Sequence, residues 1–443
     1  MKKFTAVITL TLVIALLAGI AASAESGYAY GESVLNEFAP GWTAIQADET
    51  VISLTPGACQ GEIRFGWLSK DENSRFMISE SSDMSASKEI EVETSGAIDG
   101  YISNKVTVSS LEEGKTYFYS YTENGVWSEP APVSVQNDED FTVLYVSDAQ
   151  IGRSGDETLE EVLIRDTCGW NYTVNKMTGR YSDAAFVISG GDQFQSPDSI
   201  TQMKAYLSPE ALRSLPVANT IGNHDNGATL YGDIFNNPNE VKELFGDEAG
   251  TGYYYTYGDV LFITVNSNNN FLFDTAKVLK SAVKAYPDAK WRVVTMHHNP
   301  YSASLSDGEY SEERLLFSAL YDCYDIDLVL SGHDHLYSRT EPMYAGKKAE
   351  GEGTVYVQSS SASGSNYDPL PDELASFTVS AFDVRVPTYT ALTFTDGAIT
   401  GTTYRTDTDE IIDSFEVKDN TSDSRADIFS VMISMIKTLF SMI

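Results

Sequence analysis

Two textures of hydrophobic and polar positions divide the chain. From Glu49 to Gln136, short runs alternate apolar and polar residues, as in Glu62–Trp67, Lys88–Val92 and Lys105–Val108. Turn residues punctuate them, and this pattern predicts an all-β unit. From Phe141 the texture changes. Apolar runs at Thr142–Val146, Ala185–Ile188, Val217–Thr220, Val260–Val265, Trp291–Met296, Leu328–Leu330 and Val355–Val357 read as buried strands. Helical periodicity appears in Glu157–Cys168 and Glu312–Cys323. Strands alternating with helices predict an α/β domain. Close to the end, Asp419–Arg425 is polar, and Ile428, Met432, Ile436, Leu439 and Ile443 then recur at helical spacing. That spacing predicts an amphipathic helix over Ile428–Ile443, which either docks on the protein's own surface or contacts a membrane surface or a partner.

The organisation expected from these patterns is a signal peptide over 1–24, a β-sandwich over 45–137, a catalytic α/β domain over 139–415, and a polar linker with its helix over 416–443. Lys2 and Lys3, the apolar run Phe4–Ile20 and the small residues Ala22-Ser23-Ala24 carry the first expectation. They point to export and to a secreted or cell-surface protein. A chain of 443 residues with 42% hydrophobic residues can bury a sizeable core. The formal net charge of −35 repels nucleic acid and anionic lipid, so no nucleic-acid partner is expected. It also repels phosphate esters, so phosphate chemistry here requires local positive charge of the kind bound metal ions supply. Three widely spaced cysteines, Cys59, Cys168 and Cys323, are no disulfide framework and read as buried thiols.

Candidate chemistry gathers at the ends of the predicted strands, where ligands bind in open α/β folds. Leu144–Val146 runs into Ser147-Asp148-Ala149-Gln150, Phe186–Ile188 into Ser189-Gly190-Gly191-Asp192, and Ala218–Ile221 into Gly222-Asn223-His224-Asp225. Val293–Met296 runs into His297-His298, and Leu328–Leu330 into Ser331-Gly332-His333-Asp334-His335. All five histidines of the chain lie in the last three of these segments. Imidazole mixed with carboxylate and amide oxygen suits Mn, Fe, Zn, Co or Ni more than Ca or Mg. A shared carboxylate can hold two such cations, which clamp a phosphate and activate a water.

Taken in order, these motifs resemble the calcineurin-like metallophosphoesterases. Gly332-His333-Asp334-His335-Leu336-Tyr337-Ser338-Arg339 is similar to a run of the purple acid phosphatases. Leu111–Tyr119 resembles the tyrosine corner of fibronectin type III sandwiches, with Tyr117 at the corner and Trp67 in the core. The resemblance implies a four-layer α/β/β/α metallophosphoesterase sandwich preceded by an all-β fibronectin type III-like sandwich. It implies two divalent or trivalent ions (Fe, Mn or Zn) and attack on a phosphate ester by a metal-bound hydroxide. Asp192 would bridge both ions, Asp148 and His335 would bind the first, and Asn223, His297 and His333 the second. His224 would act on the phosphate or the leaving alkoxide, with Asp225 orienting its ring. Tyr337 and Arg339 would either support the metal loop or touch substrate.

Two positions depart from the family pattern. Gln150 stands where a His, or a Gly in the purple enzymes, is usual; it is either a weak metal ligand or a support for one. Gln195 stands where purple enzymes carry the Tyr whose phenolate binds ferric iron, so no such absorption band is expected. In the fourth motif His297 is the expected ligand, with His298 the alternative; in a regular strand only one of the two rings faces the ions. The function expected is phosphate-ester hydrolysis. The alternatives are a nucleotide-directed phosphodiesterase or nucleotidase, and an inactive surface-binding protein that retains the fold.

Overall fold

The structure is a computed structural model and describes residues 30–269, 271–303, 312–349 and 353–418. The expected leader over 1–24, the linker from Asp419 and the helix Ile428–Ile443 lie outside these residues.

Two antiparallel sheets form the all-β part. One orders Ile52–Pro56, Ile63–Ser69, Ile102–Val108 and Glu93–Gly96; the other centres on Phe76–Ser79 and Thr116–Glu123. Alternation aims Phe65 and Trp67 inward, where both are fully buried against Phe76, Tyr119 and Tyr121. Tyr117 is buried, and its hydroxyl accepts the Glu112 backbone N–H at 3.0 Å, closing the turn that precedes its strand.

The α/β part is built on two packed sheets. We label its strands β1 (Phe141–Val146), β2 (Phe186–Ser189), β3 (Val217–Asn219), β4 (Tyr253–Tyr257), β5 (Val260–Thr264), β6 (Trp291–His298), β7 (Leu328–Gly332), β8 (Tyr337–Thr340), β9 (Val355–Gln358), β10 (Thr378–Phe382), β11 (Thr388–Phe394), β12 (Ala398–Arg405) and β13 (Ile411–Lys418). Its longer helices are α1 (Glu160–Arg180), α2 (Ile200–Tyr206), α3 (Leu272–Ala285) and α4 (Glu312–Cys323). One sheet runs β3-β2-β1-β11-β12-β13 and the other β4-β5-β6-β7-β9-β8-β10. Strand alternation sets the layers. Val143 and Tyr145 of β1 join Trp291 and Val293 of β6 and Leu328 and Leu330 of β7 between the sheets. Leu144 and Val146 face outward into a core with Trp170 and Val174 of α1. Val294 and Met296, on the other sheet, face Val278 and Leu279 of α3. The result is the expected four-layer α/β/β/α sandwich.

Each of the seven expected strands is present to within two residues at either end, and α4 spans Glu312–Cys323 as expected. The first helix is displaced and longer, Glu160–Arg180. The cysteine expectation is corrected at two positions: Cys168 is buried, but Cys59 is exposed and Cys323 only partly buried. Two short helices unforeseen from the sequence, Gly31–Phe38 and Trp42–Ala47, lead into the sandwich; Trp42 plugs the core beneath α1.

Parallel pairing of β1 with β2 and β2 with β3, and of β5, β6, β7 and β9 in the other sheet, points seven strand ends the same way along the molecule. A bridge between Ser147 and Ser361 joins the two sheets at that end, and the Tyr145 hydroxyl reaches the Ser331 carbonyl below it.

Candidate metal centre

The site grows out of these strand ends. Asp148 follows β1, Asp192 follows β2, Asn223 to Asp225 follow β3, His297 and His298 end β6, and His333 to His335 follow β7. Chains leaving parallel strands would diverge along the strand direction, so the backbone must turn sharply to bring side chains inward. Five of the expected residues do so with positive φ: Asp148 (52°), Gln150 (34°), Asp192 (53°), His333 (79°) and His335 (50°). Such conformations cost non-glycine residues energy and concentrate at functional sites. The neighbouring glycines clear space for the ligands. A Cβ on Gly222 would overlap the Asp192 carboxylate, and one on Gly332 would overlap the Asp148 carboxylate and the Ser147 hydroxyl.

Ligand atoms of Asp148, Asp192 and His297, all buried, lie within 4.8 Å of one another. The His297 Nε2 sits 3.2 Å from Asp192 Oδ2 and 3.0 Å from Asn223 Oδ1. Asn223 Oδ1 is in turn 3.0 Å from His333 Nδ1. On the other side, His335 Nε2 is 3.7 Å from Asp148 Oδ1. Asp148 also accepts the His333 backbone N–H, and Asp192 Oδ1 the His224 backbone N–H at 2.9 Å.

The donor set fits metal ions on three further counts. His297 Nδ1 lies 3.0 Å from the Gly190 carbonyl and His335 Nδ1 3.3 Å from the Asn366 carbonyl. Each ring must donate its Nδ1–H there, which leaves Nε2 as the coordinating atom, as is usual for metal-bound histidine. Gln150 Oε1 is buried with no hydrogen-bond partner among the described residues, while its Nε2 donates to Gln195 Oε1 at 3.1 Å. A buried amide oxygen left bare is costly unless something electropositive faces it. Asp148 and Asp192 form no ion pair with Lys or Arg among the described residues.

Charge is strongly coupled. Burial works to raise the Asp192 pKa, but His297 beside it and the His224 N–H hold it well below the usual carboxylate range. Burial opposes charging of His297, yet Asp192 wins and lifts its pKa to about 10. That ring holds a proton in the space where a cation would otherwise balance Asp192. Burial, then His297 and His333, push His298 the other way, toward the neutral ring.

Three expectations are corrected. Asp225 does not orient His224. Its Oδ1 accepts the N–H groups of Gln193 (2.9 Å) and Phe194 (3.2 Å), and its Oδ2 those of Asp192 and Gly222 (both 2.8 Å). Burial and Asp192 push its pKa up, but four converging donors and no acceptor define a carboxylate that staples two loops. The His224 ring is held instead by the Gln195 carbonyl, 3.1 Å from Nδ1. Arg339 does not reach toward substrate either: its guanidinium grips Asp413 through Nε (2.7 Å) and Nη2 (3.1 Å), and Tyr337 donates to the same carboxylate at 2.8 Å. Lastly, His297 and His298 do not part to opposite sides. The pairing of β6 with β7 shifts register between Thr295 and His298, and the His298 ring packs 4.4 Å from His333.

Ser267 belongs to the segment Asn266–Asn270, whose sequence reads first as a polar loop and second as one able to reach the pocket. It follows β5 and accepts the backbone N–H of both His297 (3.2 Å) and His298 (3.1 Å). Only its place just beyond an apolar run hinted at a role. Asn268, in the same loop, donates to the Gly222 carbonyl at 3.1 Å and so braces the Asn223 turn.

Comparisons with known proteins agree with this fold. A family model described as calcineurin-like phosphoesterase matches residues 141–337. A purple acid phosphatase from yellow lupin (Lupinus luteus) seeds is similar in structure, with a TM-score of 0.65 at 16% identity, over 86% of this chain and 75% of that one. The structure of PhoD is similar with a TM-score of 0.56 at 10% identity, over 88% of this chain and 97% of that one. No curated protein matches the sequence significantly. With its motifs in order at the strand ends and its buried Asp148, Asp192 and His297 together, the chain carries a domain of the calcineurin-like phosphoesterase family.

Proposed function

We propose that the protein is an exported two-metal hydrolase of phosphate esters. The observation that carries this is the buried group of Asp148, Asp192 and His297, whose ligand atoms lie within 4.8 Å of one another. In this reading Asp192 is shared, with Asp148, His335 and Gln150 serving one ion and Asn223, His297 and His333 the other. Bound there, two ions of Fe, Mn or Zn would neutralise phosphate charge and lower the pKa of a water to make it a nucleophile near neutral pH.

The chain's own groups supply the remainder. Asp192, unprotonated and fixed at its backbone by Asp225, turns Oδ2 to His297 and holds Oδ1 on the His224 backbone N–H. The Gly190 and Asn366 carbonyls lock His297 and His335 into the tautomer that presents Nε2 inward. His224 is partly exposed beside the cluster, with Nδ1–H on the Gln195 carbonyl and Nε2 free to exchange a proton with the departing alkoxide. Gln150 contributes an uncharged oxygen, with Gln195 turning its amide. Export is supported by the leader-like start over 1–24. No helix among the described residues is long and apolar enough to cross a membrane.

The test is hydrolysis of p-nitrophenyl phosphate by the mature chain reconstituted with Mn, Fe or Zn. Turnover that depends on metal and is lost in Asp192→Ala supports the reading. A purified chain that takes up metal yet hydrolyses no phosphomonoester or phosphodiester would falsify it and favour a binding role.

A further inference from the structure

We infer that His298 is a hydrogen-bond donor to the substrate phosphate, held in the Nε2–H tautomer by Ser267, and that it is not a metal ligand. This rests on the hydrolase reading above and adds to it a residue that handles substrate rather than metal.

The donors and acceptors around Ser267 fix the tautomer of His298. A serine hydroxyl has one hydrogen and two acceptor lone pairs. Ser267 Oγ accepts the backbone N–H of His297 at 3.2 Å and of His298 at 3.1 Å, which occupies both lone pairs. Its remaining contact is His298 Nδ1 at 2.9 Å. The hydroxyl can meet that atom only by donating its own hydrogen, so Nδ1 is an acceptor. The proton of the neutral ring is therefore on Nε2. A doubly protonated ring would bring an N–H against a hydroxyl with no lone pair left for it.

His297, the adjacent residue, has the opposite arrangement. Its Nδ1 meets a carbonyl, which can only accept, so Nδ1 keeps its proton and Nε2 is the atom left to coordinate once the proton it shares with Asp192 is displaced. Two neighbouring imidazoles at the end of β6 are thus set to opposite tautomers by two different backbone and side-chain partners. One is prepared as a ligand and the other as a donor.

Position completes the case. The register shift before His298 keeps its ring at the centre, 5.1 Å from the His297 ring and 4.4 Å from the His333 ring. Nδ1 is turned to Ser267, and Nε2 has no partner among the described residues. The ring is partly exposed, so the group is within reach of a ligand from solvent. In a protein of net charge −35, neutral N–H donors at the mouth of the site orient an anion that the surface field repels.

The experiment combines imidazole ¹⁵N NMR with inorganic phosphate binding and metal analysis on the mature chain. We expect protonated Nε2 and unprotonated Nδ1 for His298, protonated Nδ1 for His297 with its Nε2 losing its proton only when metal binds, and loss of the single His298 tautomer in Ser267→Ala. His298→Ala should keep the wild-type metal content and bind inorganic phosphate about ten- to a hundredfold more weakly, the range for one hydrogen bond to a charged group. His298→Gln, whose amide N–H reaches the place of Nε2–H, should recover most of that binding, and the shorter His298→Asn should not. Loss of a metal equivalent in His298→Ala, unchanged phosphate affinity, or an Nδ1–H tautomer each overturns the assignment. If the wild type binds neither metal nor phosphate, the hydrolase reading fails instead, and the tautomers, readable in the metal-free chain, still decide the Ser267–His298 arrangement.

Discussion

Asp192 concentrates the physics of the site in one residue. It is 1% exposed, takes a positive φ of 53°, and has a carboxylate facing His297 with no Lys or Arg paired to it among the described residues. In the metal-free chain the proton on His297 supplies the balancing charge, so metal uptake must expel it. The His297 pKa of about 10 means that this competition operates throughout the neutral range. Metal affinity should therefore fall by up to about tenfold for each unit drop in pH, measurable by titration calorimetry between pH 8 and 6. The same shift has a stability counterpart. A raised imidazole pKa stabilises the metal-free fold fully below the unfolded value of about 6.5, and this contribution is lost as pH rises through about 10. For His224 the expectation differs in kind, because it is not among the grouped ligands. His224→Ala should keep its metal and lose about 10²- to 10⁴-fold in kcat, the usual worth of a positioned acid.

At the level of elements, the strand ends matter more than the strands. The apolar runs from Thr142 to Val357 were legible because buried strands in a four-layer sandwich are apolar on both faces. The motif order was legible for a related reason: short polar segments straight after such runs have few other uses. What escaped was whatever depends on contacts between distant segments. Strand β11 (Thr388–Phe394) reads as polar as often as apolar, yet it pairs antiparallel with β1 at the centre of its sheet, where Thr390 meets Thr403 through their hydroxyls at 2.8 Å. Asp225 looked like a partner for its neighbour His224, but sequence adjacency says nothing about the four N–H groups that reach it from the Asp192 and Gly222 turns. Arg339 was ambiguous for the same reason: Asp413, which occupies its fork, lies 74 positions away. Replacing Arg339 with Met leaves that half-buried carboxylate and the Tyr337 hydroxyl without their cation. Arg339→Met should cost about 2–4 kcal/mol by denaturant unfolding and leave KM unchanged. A raised KM with unaltered stability would restore the substrate-binding role.

Across the whole molecule, the sandwich acts as a brace for the active end. Residues 232–237 follow the Asn223–Asp225 turn and lie against the sandwich edge. Ser53 and Ser103 donate to the carbonyls of Ile234 and Asp233 (both 2.6 Å), Lys105 donates to that of Gly232 (2.7 Å), and Asn236 donates to Phe65 and Val106. A Cβ on Gly66 would overlap the Ile234 carbonyl, so the close fit requires glycine there. Near the same junction, Glu123 is 6% exposed; burial, then Glu49, push its pKa up to about 7. Because the folded value exceeds the unfolded one, this group favours the fold at low pH and weighs against it as pH rises through about 7. Glu123→Gln should thus raise Tm by about 2–4 °C at pH 8 and change it little at pH 4, read by calorimetry.

The central claim, that Asp192 is shared by two cations, is tested most directly by anomalous diffraction from crystals of the metal-loaded protein at the absorption edges of Mn, Fe and Zn. Two peaks are expected about 3.5–4 Å apart flanking the Asp192 carboxylate, one toward Asp148 and His335 and the other toward Asn223, His297 and His333. A single peak, or peaks away from Asp192, would contradict it.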